Sequence, residues 1–280
     1  MQHPCRWKIL GMLLPPLLIL SACAASPYTQ RSQLILISPS DENRLGAAAF
    51  RRVLSKEKVS RDPHFQAVVN RVGWRIAAAA GRPDFRWEFV VIDNPETANA
   101  FALPGGKVAV YTGIFPVART EAGLAAVMSH EVAHVLARHG AERMSQGLLA
   151  QMGAVAIHAG MAGSNPAVAR SVMTAYGLGA RVGVLLPYSR LQESEADRIG
   201  LILMAKAGYD PREAARLWER MAREGRRRPP EFLSTHPSPG HRIKELERWI
   251  PHALTYYQPS PDQLSGGTRL LPGVKAGEFR

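Results

Sequence analysis

His130-Glu131-Val132-Ala133-His134 is the most informative run of residues in this chain. Apolar residues recur at helical spacing on both sides of it, which predicts an α-helix. Residues four positions apart on a helix return to nearly the same face, one turn higher. His130 and His134 can therefore direct two imidazoles at one metal ion, with Glu131 beside it as a general base toward water.

A second segment, Glu193-Ser194-Glu195-Ala196-Asp197, is predicted to complete the metal site. Zinc in a hydrolase usually takes three protein ligands and leaves the fourth position to water. Glu193 and Asp197 lie one helical turn apart and share a face. We expect Glu193 to bind the metal and Asp197 to accept a hydrogen bond from a zinc-bound histidine, His130. The alternative is an acidic patch on a solvated helix, with Glu195 as an exposed member.

From about Asn94 to Arg248 the chain resembles the gluzincin metallopeptidases typified by CAAX prenyl protease 1, HtpX and the periplasmic protein BepA. Four segments carry the resemblance: Asn99-Ala-Phe-Ala-Leu-Pro-Gly-Gly, the His-Glu-x-x-His helix, Ser-Arg-x-x-Glu-x-x-Ala-Asp, and Thr235-His-Pro followed by His241-Arg242. It implies an α+β fold, mainly helical: a zincin-like domain with a small sheet and an active-site helix. It also implies one zinc ion per chain and selects Glu193 over Glu195 as the ligand.

The Thr-His-Pro segment resembles the BepA-like branch of this family, where its histidine can approach the zinc. His236 is therefore a candidate catalytic residue, either as a fourth ligand that gates the site or as a donor to the oxyanion. Arg242 is a second candidate for the oxyanion donor. The alternative for His236 is a loop histidine that happens to precede a proline.

Short strands are predicted before the metal-binding helix. Residues 85–93 alternate in polarity like a strand, and 99–103 and 107–112 form two more around Pro104-Gly-Gly. An unpaired strand edge can bind an extended peptide through main-chain hydrogen bonds. The resemblance points to Asn99, Ala100 and Phe101 as this substrate-binding edge, with an ordinary hairpin as the alternative.

Helical patterns occupy much of the remaining chain. Residues 42–80, 211–221 and 239–250 show apolar residues at helical spacing. Residues 146–162 are nearly apolar but include Gln151 and His158, so no clean run of membrane-spanning length is present. We expect helices that cover the cleft in this last region.

The N-terminus has the features of an export signal. A short basic region precedes an apolar run at residues 9–20, which is too short and too proline-broken for a comfortable transmembrane helix. Leu20-Ser21-Ala22-Cys23 resembles the bacterial lipobox, which implies a lipid on Cys23 and a membrane anchor. Resemblance to Gram-negative lipoproteins favours the periplasm-facing side of the outer membrane. The alternative is ordinary signal cleavage near Ala22 or Ala25.

These observations predict four regions: a signal peptide at 1–22, a polar tether at 23–42, a zinc metallopeptidase domain at 43–257 and a disordered Ser/Gly/Pro-rich tail at 258–280. The 280 residues are 46% hydrophobic, enough for a sizeable core. The net charge is +12, but the arginines lack the interleaved aromatic residues of nucleic-acid modules, so no nucleic-acid partner is expected.

The sequence thus predicts a lipid-anchored zinc endopeptidase of the bacterial envelope, with unfolded or misassembled envelope proteins as its substrates in protein quality control. Two alternatives stay open. One is a chaperone-like or binding lipoprotein whose zinc site has little proteolytic activity. The other is a structural lipoprotein with a fortuitous motif.

Overall fold

A computed structural model describes residues 23–26, 28–161, 165–168, 170–173, 189–224, 231–236, 239–259 and 270. The chain divides into two compact units, 1–38 with 140–185 and 39–139 with 186–280. The predicted signal peptide lies outside the described residues. So does the predicted tail, apart from residues 258, 259 and 270.

The elements are short strands and longer helices. The strands are β1 (Cys23–Ala25), β2 (Ser32–Leu34), β3 (Glu88–Ile92), β4 (Ala100–Leu103) and β5 (Lys107–Tyr111). The helices are α1 (Pro39–Leu54), α2 (Pro63–Ala80), α3 (Phe115–Ala118), α4 (Glu121–Leu136), α5 (His139–Gly160), α6 (Arg190–Lys206), α7 (Arg212–Glu224), α8 (Glu231–Thr235) and α9 (Pro239–Leu254). The predicted α+β, mainly helical fold class is confirmed.

Two short strands lie within the region predicted as a tether, residues 23–42. Strands β1 and β2 pair in antiparallel register, with Cys23 opposite Leu34. Nη1 and Nη2 of Arg31 donate hydrogen bonds of 2.7 Å to Oε1 and Oε2 of Glu142 on α5. The contact between Arg31 and Glu142 joins residues far apart in sequence. It therefore cannot be predicted from the polar composition of residues 23–42.

Helices α1 and α2 are separate, although residues 42–80 show one helical pattern. Between them the backbone runs beside β3, where Val59 forms an antiparallel bridge with Ile92. Helix α2 then begins at Asp62, whose side chain accepts a hydrogen bond from the backbone N–H of His64 at 2.8 Å. A strand-like bridge thus interrupts a sequence whose periodicity is helical on both sides.

The second unit contains a three-stranded sheet in the order β3-β5-β4. Strand β5 lies in the centre, parallel to β3 and antiparallel to β4, with Phe101 opposite Ala109. Among the residues that the structure describes, strand β4 is therefore an edge. The predicted strands at 99–103 and 107–112 are confirmed to within one residue at each end.

Helix α4 lies at the centre of the second unit. It packs against α6, α2, α7 and β4, and nearly all of its residues are buried. Such a helix is apolar around its whole circumference, so it needs other elements on every side. The polar residues that it buries therefore require partners from those same elements.

The remaining helix predictions also agree with the structure. Residues 211–221 and 239–250 correspond to α7 and α9, and most of 146–162 lies in α5. Of the helices in the described part of the chain, none combines the length and the hydrophobicity needed to cross a bilayer.

Candidate metal centre

Two candidate metal ligands come from one turn of α4. The helix starts at Thr120, whose side chain accepts a hydrogen bond from the backbone N–H of Gly123 at 3.1 Å. His130 and His134 follow, both buried, with their Nε2 atoms 3.1 Å apart. The helical spacing that predicted convergence of the two imidazoles therefore produces it.

Glu193 enters from α6. Its Oε2 lies 3.5 Å from Nε2 of His130, and its Oε1 lies 3.5 Å from Nε2 of His134. The two helices approach closely at Gly200, where a Cβ would lie only 3.2 Å from the Cα of His130. A glycine here lets α6 come near enough for a short carboxylate side chain to reach both rings.

His236 adds a fourth donor immediately after α8. Its Nδ1 lies 3.1 Å from Nε2 of His130 and 3.0 Å from Oε1 of Glu193. Its other nitrogen, Nε2, lies 3.2 Å from Oε1 of Glu131. His236 is buried, and its ring stacks on Phe232 with 4.4 Å between centroids. The Thr-His-Pro histidine is therefore part of the cluster and not a solvent-exposed loop residue.

The cluster has the chemistry and dimensions of a zinc site. His130, His134, Glu193 and His236 each offer one donor atom, and all four atoms lie within 4.8 Å of one another. Zinc with nitrogen and oxygen ligands at about 2.1 Å requires donor–donor separations of roughly 3.4 Å in a tetrahedron. Five of the six residue pairs place donor atoms 3.0 to 3.5 Å apart, close to that requirement, when either oxygen of Glu193 is counted.

The protonation states of the cluster suit a cation. Burial raises the pKa of Glu193, but hydrogen bonds with His130 and His236 and the positive charge of Arg242 outweigh it, so the pKa falls well below its usual value. Burial, with the neighbouring imidazoles, lowers the pKa of His134. An ionised carboxylate and a neutral imidazole are the forms that bind metal.

His236 has the opposite tendency. Burial lowers its pKa, but the charge and hydrogen bond of Glu131, together with Glu193, outweigh burial and raise the pKa to about 9. The imidazole thus lies between two carboxylates, one that belongs to the ligand set and one that is the expected base.

Asp197 and Arg242 lie behind His130. Oδ1 of Asp197 is 3.1 Å from Nδ1 of His130, as the sequence predicts. Arg242 donates to both oxygens of Asp197, with Nε at 2.7 Å from Oδ2, and its Nη1 lies 2.6 Å from Oε2 of Glu193. Its guanidinium also covers the ring of Trp218 at 3.7 Å. Arg242 is thus engaged by carboxylates, which does not fit the oxyanion-donor role that the sequence suggested.

Two further residues of the site were missed from the sequence. His139 places Nδ1 2.9 Å from Nδ1 of His134 and Nε2 3.1 Å from Oε2 of Glu195. Glu195 is buried and is not the exposed residue of an acidic patch. A signal existed, since His139 follows the metal motif by five residues, but a helix continued to that position would point its ring elsewhere.

The expected substrate edge lies beside the cluster. The backbone carbonyl of Asn99 accepts a hydrogen bond from Tyr111 on β5, and its side chain accepts one from the N–H of Ala100. The carbonyl of Ala98 accepts from the N–H of Phe232 at 3.2 Å, which joins this edge to the segment that carries His236. Substrate binding by Asn99, Ala100 and Phe101 stays a prediction. So does the lipid on Cys23, the first residue of β1.

Comparison with known proteins agrees with this geometry. Residues 63–250 match the model of Peptidase family M48. The chain is 41% identical over 232 residues to the mitochondrial metalloendopeptidase OMA1 of Schizosaccharomyces pombe, covering 81% of this chain and 66% of that protein. It is 31% identical over 217 residues to the beta-barrel assembly-enhancing protease of Escherichia coli, covering 75% of this chain and 44% of that protein.

A similar protein of Vibrio cholerae, a putative beta-barrel assembly-enhancing protease, is 35% identical over 205 residues, covering 71% of this chain and 42% of that protein. The chain thus spans under half of the two bacterial relatives. The relatives are both mitochondrial and bacterial, which is broader than the envelope location expected from the sequence. The family match covers more than half of the chain and includes every residue of the metal cluster, so the chain belongs to peptidase family M48, the zinc metalloendopeptidases that the sequence resembled.

Proposed function

We propose that this chain hydrolyses internal peptide bonds of unfolded or misassembled envelope proteins while anchored to a bacterial membrane by a lipid on Cys23. The main support for the peptidase role is that His130, His134 and Glu193 converge at one point. Glu131 lies on the same helix as the two histidines. The names of the relatives, a mitochondrial metalloendopeptidase and a beta-barrel assembly-enhancing protease, support proteolysis. The lipobox-like sequence before Cys23 supports the anchor.

Zinc held by His130, His134 and Glu193 would supply Lewis-acid chemistry, polarising a carbonyl and lowering the pKa of water. Glu131 is the proposed general base and general acid. Its carboxylate is buried at the cluster, where it can accept a proton from the attacking water and return it to the departing amine. Asp197 holds His130 in the tautomer that leaves Nε2 free for the metal.

We further propose that His236 is a latch. Nδ1 of its ring joins the ligand donors, and Nε2 contacts Glu131, so the ring occupies both places that a substrate and water need. The reaction therefore requires this side chain to move away. A closed latch limits indiscriminate proteolysis, which suits an enzyme that acts on proteins only when they fail to assemble.

Strand β4 is the proposed substrate cradle. In its register with β5, residues 99, 101 and 103 direct their backbone groups to β5, and Ala100 and Ala102 direct theirs outward. Substrate main chain would add to this edge as a further strand, with little demand for particular side chains. This mode of binding suits a peptidase whose substrates share an unfolded state and not a sequence.

A second candidate function is a binding or chaperone-like protein that cleaves little. The closed position of His236 favours it, because a fourth protein ligand is typical of structural zinc sites. It differs from the first proposal in one respect: the latch would remain closed when an unfolded protein binds.

The test is casein digestion by the purified chain, with zinc content measured in the same sample. We expect about one zinc per chain, activity that a chelator removes and zinc restores, and a Glu131→Gln variant that keeps zinc and loses activity by roughly 10² to 10⁴. If the protein binds zinc but neither the wild type nor any variant at His236 digests casein, the result would support the binding protein. Purified chain without zinc would support a fortuitous motif and overturn both.

The anchor is tested separately in a bacterial host by Cys23→Ser. We expect the wild-type protein to sediment with membranes and to take up labelled palmitate. The variant should lose the label and appear in the soluble fraction. Equal sedimentation of both proteins would reject the lipid anchor without affecting the peptidase assignment.

A further inference from the structure

His139 and Glu195 form a buried pair that ends at a ring of the metal cluster. Nδ1 of His139 lies 2.9 Å from Nδ1 of His134, and the two ring centroids are 4.9 Å apart at an interplanar angle of 73°. Nε2 of His139 lies 3.1 Å from Oε2 of Glu195. His139 has no exposed surface, and Glu195 is 5% exposed. Neither residue is among the four donors of the metal cluster, and neither has a role in the proposed reaction.

One arrangement of protons satisfies these contacts and keeps Nε2 of His134 available for a metal ion. Nε2 of His134 faces the other ligand donors, so it must carry a lone pair and Nδ1 must carry the hydrogen. That hydrogen needs an acceptor, and Nδ1 of His139 lies within hydrogen-bond distance of it, at 2.9 Å. His139 must then carry its own hydrogen on Nε2, where it donates to the carboxylate of Glu195.

A different tautomer of His139 would disturb the metal ligand. A hydrogen on its Nδ1 would face the hydrogen on Nδ1 of His134, and one of the two would have to move. If His134 changed tautomer, its Nε2 would carry a hydrogen and could no longer bind a cation. The carboxylate of Glu195 prevents this, because an ionised carboxylate only accepts hydrogen bonds and so selects the Nε2–H form of His139.

The backbone is bent to make this contact. Helix α4 ends at Leu136, and Arg138 adopts a φ of 57°, a left-handed conformation that is unfavourable for a non-glycine residue. The guanidinium of Arg138 is held by Glu42, with Nε and Nη2 both 2.7 Å from Oε2. This turn brings the ring of His139 into contact with His134. If helix α4 continued to residue 139, the ring would point away from His134.

We propose that His139, oriented by Glu195, is a positioning residue that fixes His134 in the tautomer and orientation needed to bind zinc. The two metal-binding histidines are then supported in different ways. His130 donates directly to Asp197, whereas His134 reaches its carboxylate through an intervening imidazole. The proposal deepens the zinc-peptidase assignment, on which it rests, but it concerns metal binding alone and is tested without any peptidase assay.

The first test compares His139→Phe with His139→Gln in the full chain. Phenylalanine fills the space without an acceptor, whereas glutamine can accept from His134 through its oxygen and donate to Glu195 through its nitrogen. We expect His139→Phe to raise the zinc dissociation constant about 10- to 100-fold in competition with a chromophoric chelator, and His139→Gln to restore most of the affinity. The visible spectrum of the cobalt-loaded protein should change in the first variant and resemble wild type in the second.

A merely structural role gives a different result. Equal zinc affinity in both variants, with melting temperatures of the metal-free proteins lowered, would overturn the proposal. If His139→Phe does not fold, Glu195→Leu keeps His139 in place and removes only its acceptor. We expect this variant to bind zinc several-fold more weakly, and unchanged affinity in it would also overturn the proposal.

The second test observes the protons in zinc-loaded wild-type protein by ¹⁵N NMR of the imidazoles. We expect His134 to be protonated at Nδ1 and His139 at Nε2. A hydrogen on Nδ1 of His139 would contradict the proposed relay, even if zinc is bound. If His134 and His139 have the expected tautomers but the protein does not digest casein, the proposed function would be contradicted. The proposed role of His139 in metal binding would not be affected.

Discussion

Nε2 of His236 lies 3.2 Å from Oε1 of Glu131, while Nδ1 of the same ring lies among the ligand donors. A single side chain thus contacts the expected base and completes the ligand set. If the ring acts as the proposed latch, opening the site requires both contacts to break together, and the position of the ring then sets the fraction of molecules that can act.

Replacing His236 with alanine should raise peptidase activity if the ring is a latch. Loss of contacts that together stabilise the closed state by about 1–2 kcal/mol would increase the open fraction roughly 5- to 30-fold. The measurement is the initial rate of casein digestion at equal zinc content. Glu131→Gln combined with His236→Ala is the control and should be inactive.

A fall in activity to the level of Glu131→Gln would instead identify His236 as an oxyanion donor. An unchanged rate would show that the ring neither closes the site nor acts in the reaction.

Arg242→Met should destabilise the protein more than it impairs the chemical step. The variant keeps much of the aliphatic packing but leaves Asp197 and Glu193 as buried carboxylates without their cation. Breaking a buried ion pair by removing one partner costs about 3–5 kcal/mol, which lowers the melting temperature of a chain of this size by roughly 10 °C. Zinc content should fall as well.

The matched control is Arg223→Met, which removes an exposed pair with Glu219 and should change stability by less than about 1 kcal/mol. If Arg242→Met kept the wild-type melting temperature and zinc content but lost kcat, the oxyanion-donor role suggested by the sequence would be correct.

The sequence was sufficient for the parts of the site that depend on local periodicity. His130 and His134 follow from helical spacing, as does the shared face of Glu193 and Asp197. His139 could not be found in this way, because its position depends on the left-handed backbone of Arg138, and arginine is not a residue that signals such a turn.

Long-range contacts set the other limit. The two helices at 39–54 and 63–80 appear continuous in sequence because the intervening bridge of Val59 with Ile92 is a tertiary contact. The ion pairs of Arg242 could not be predicted from the sequence for the same reason. Its charge indicated a donor, but only the fold shows that Asp197 and Glu193 already engage it.

Gly200→Val should separate the two metal-binding helices. A Cβ at this position would lie 3.2 Å from both Cα and N of His130, so the backbone of α4 would have to move away from it. We expect a loss of stability of about 1–3 kcal/mol. Zinc content should also fall, because displacement of α6 would move Glu193 away from the imidazoles of His130 and His134. Zinc content is measured alongside thermal unfolding.

Gly160→Val is the control, since nothing lies within 4 Å of a Cβ at that glycine. Retention of wild-type zinc content in Gly200→Val would show that close approach of the helices is not what positions the carboxylate.

Tyr209 should make the protein sensitive to alkali. Burial and the nearby charge of Glu121 raise its pKa from 10.0 to about 12. Because the folded-state pKa is the higher one, the neutral phenol stabilises the fold below pH 10, and this contribution is lost as pH rises toward 12. A difference of about two pKa units corresponds to roughly 2–3 kcal/mol.

The measurement is urea unfolding of wild type and Tyr209→Phe between neutral pH and pH 12. The stability of wild type should fall more steeply than that of the variant across this range. Parallel curves would mean that the phenol titrates alike in the folded and unfolded chains.

Ala102→Pro tests the proposed substrate edge without breaking the sheet. The N–H of Ala102 points away from β5, so a proline removes a group that could bind substrate and no ladder hydrogen bond. Loss of one main-chain hydrogen bond to substrate, worth about 1 kcal/mol, should lower kcat/KM roughly fivefold to tenfold, with zinc content and circular dichroism unchanged. Ala102→Val is the control, because it adds bulk and keeps the N–H. A similar loss in both variants would indicate a steric effect, and wild-type activity in Ala102→Pro would mean that substrate does not pair with this residue of β4.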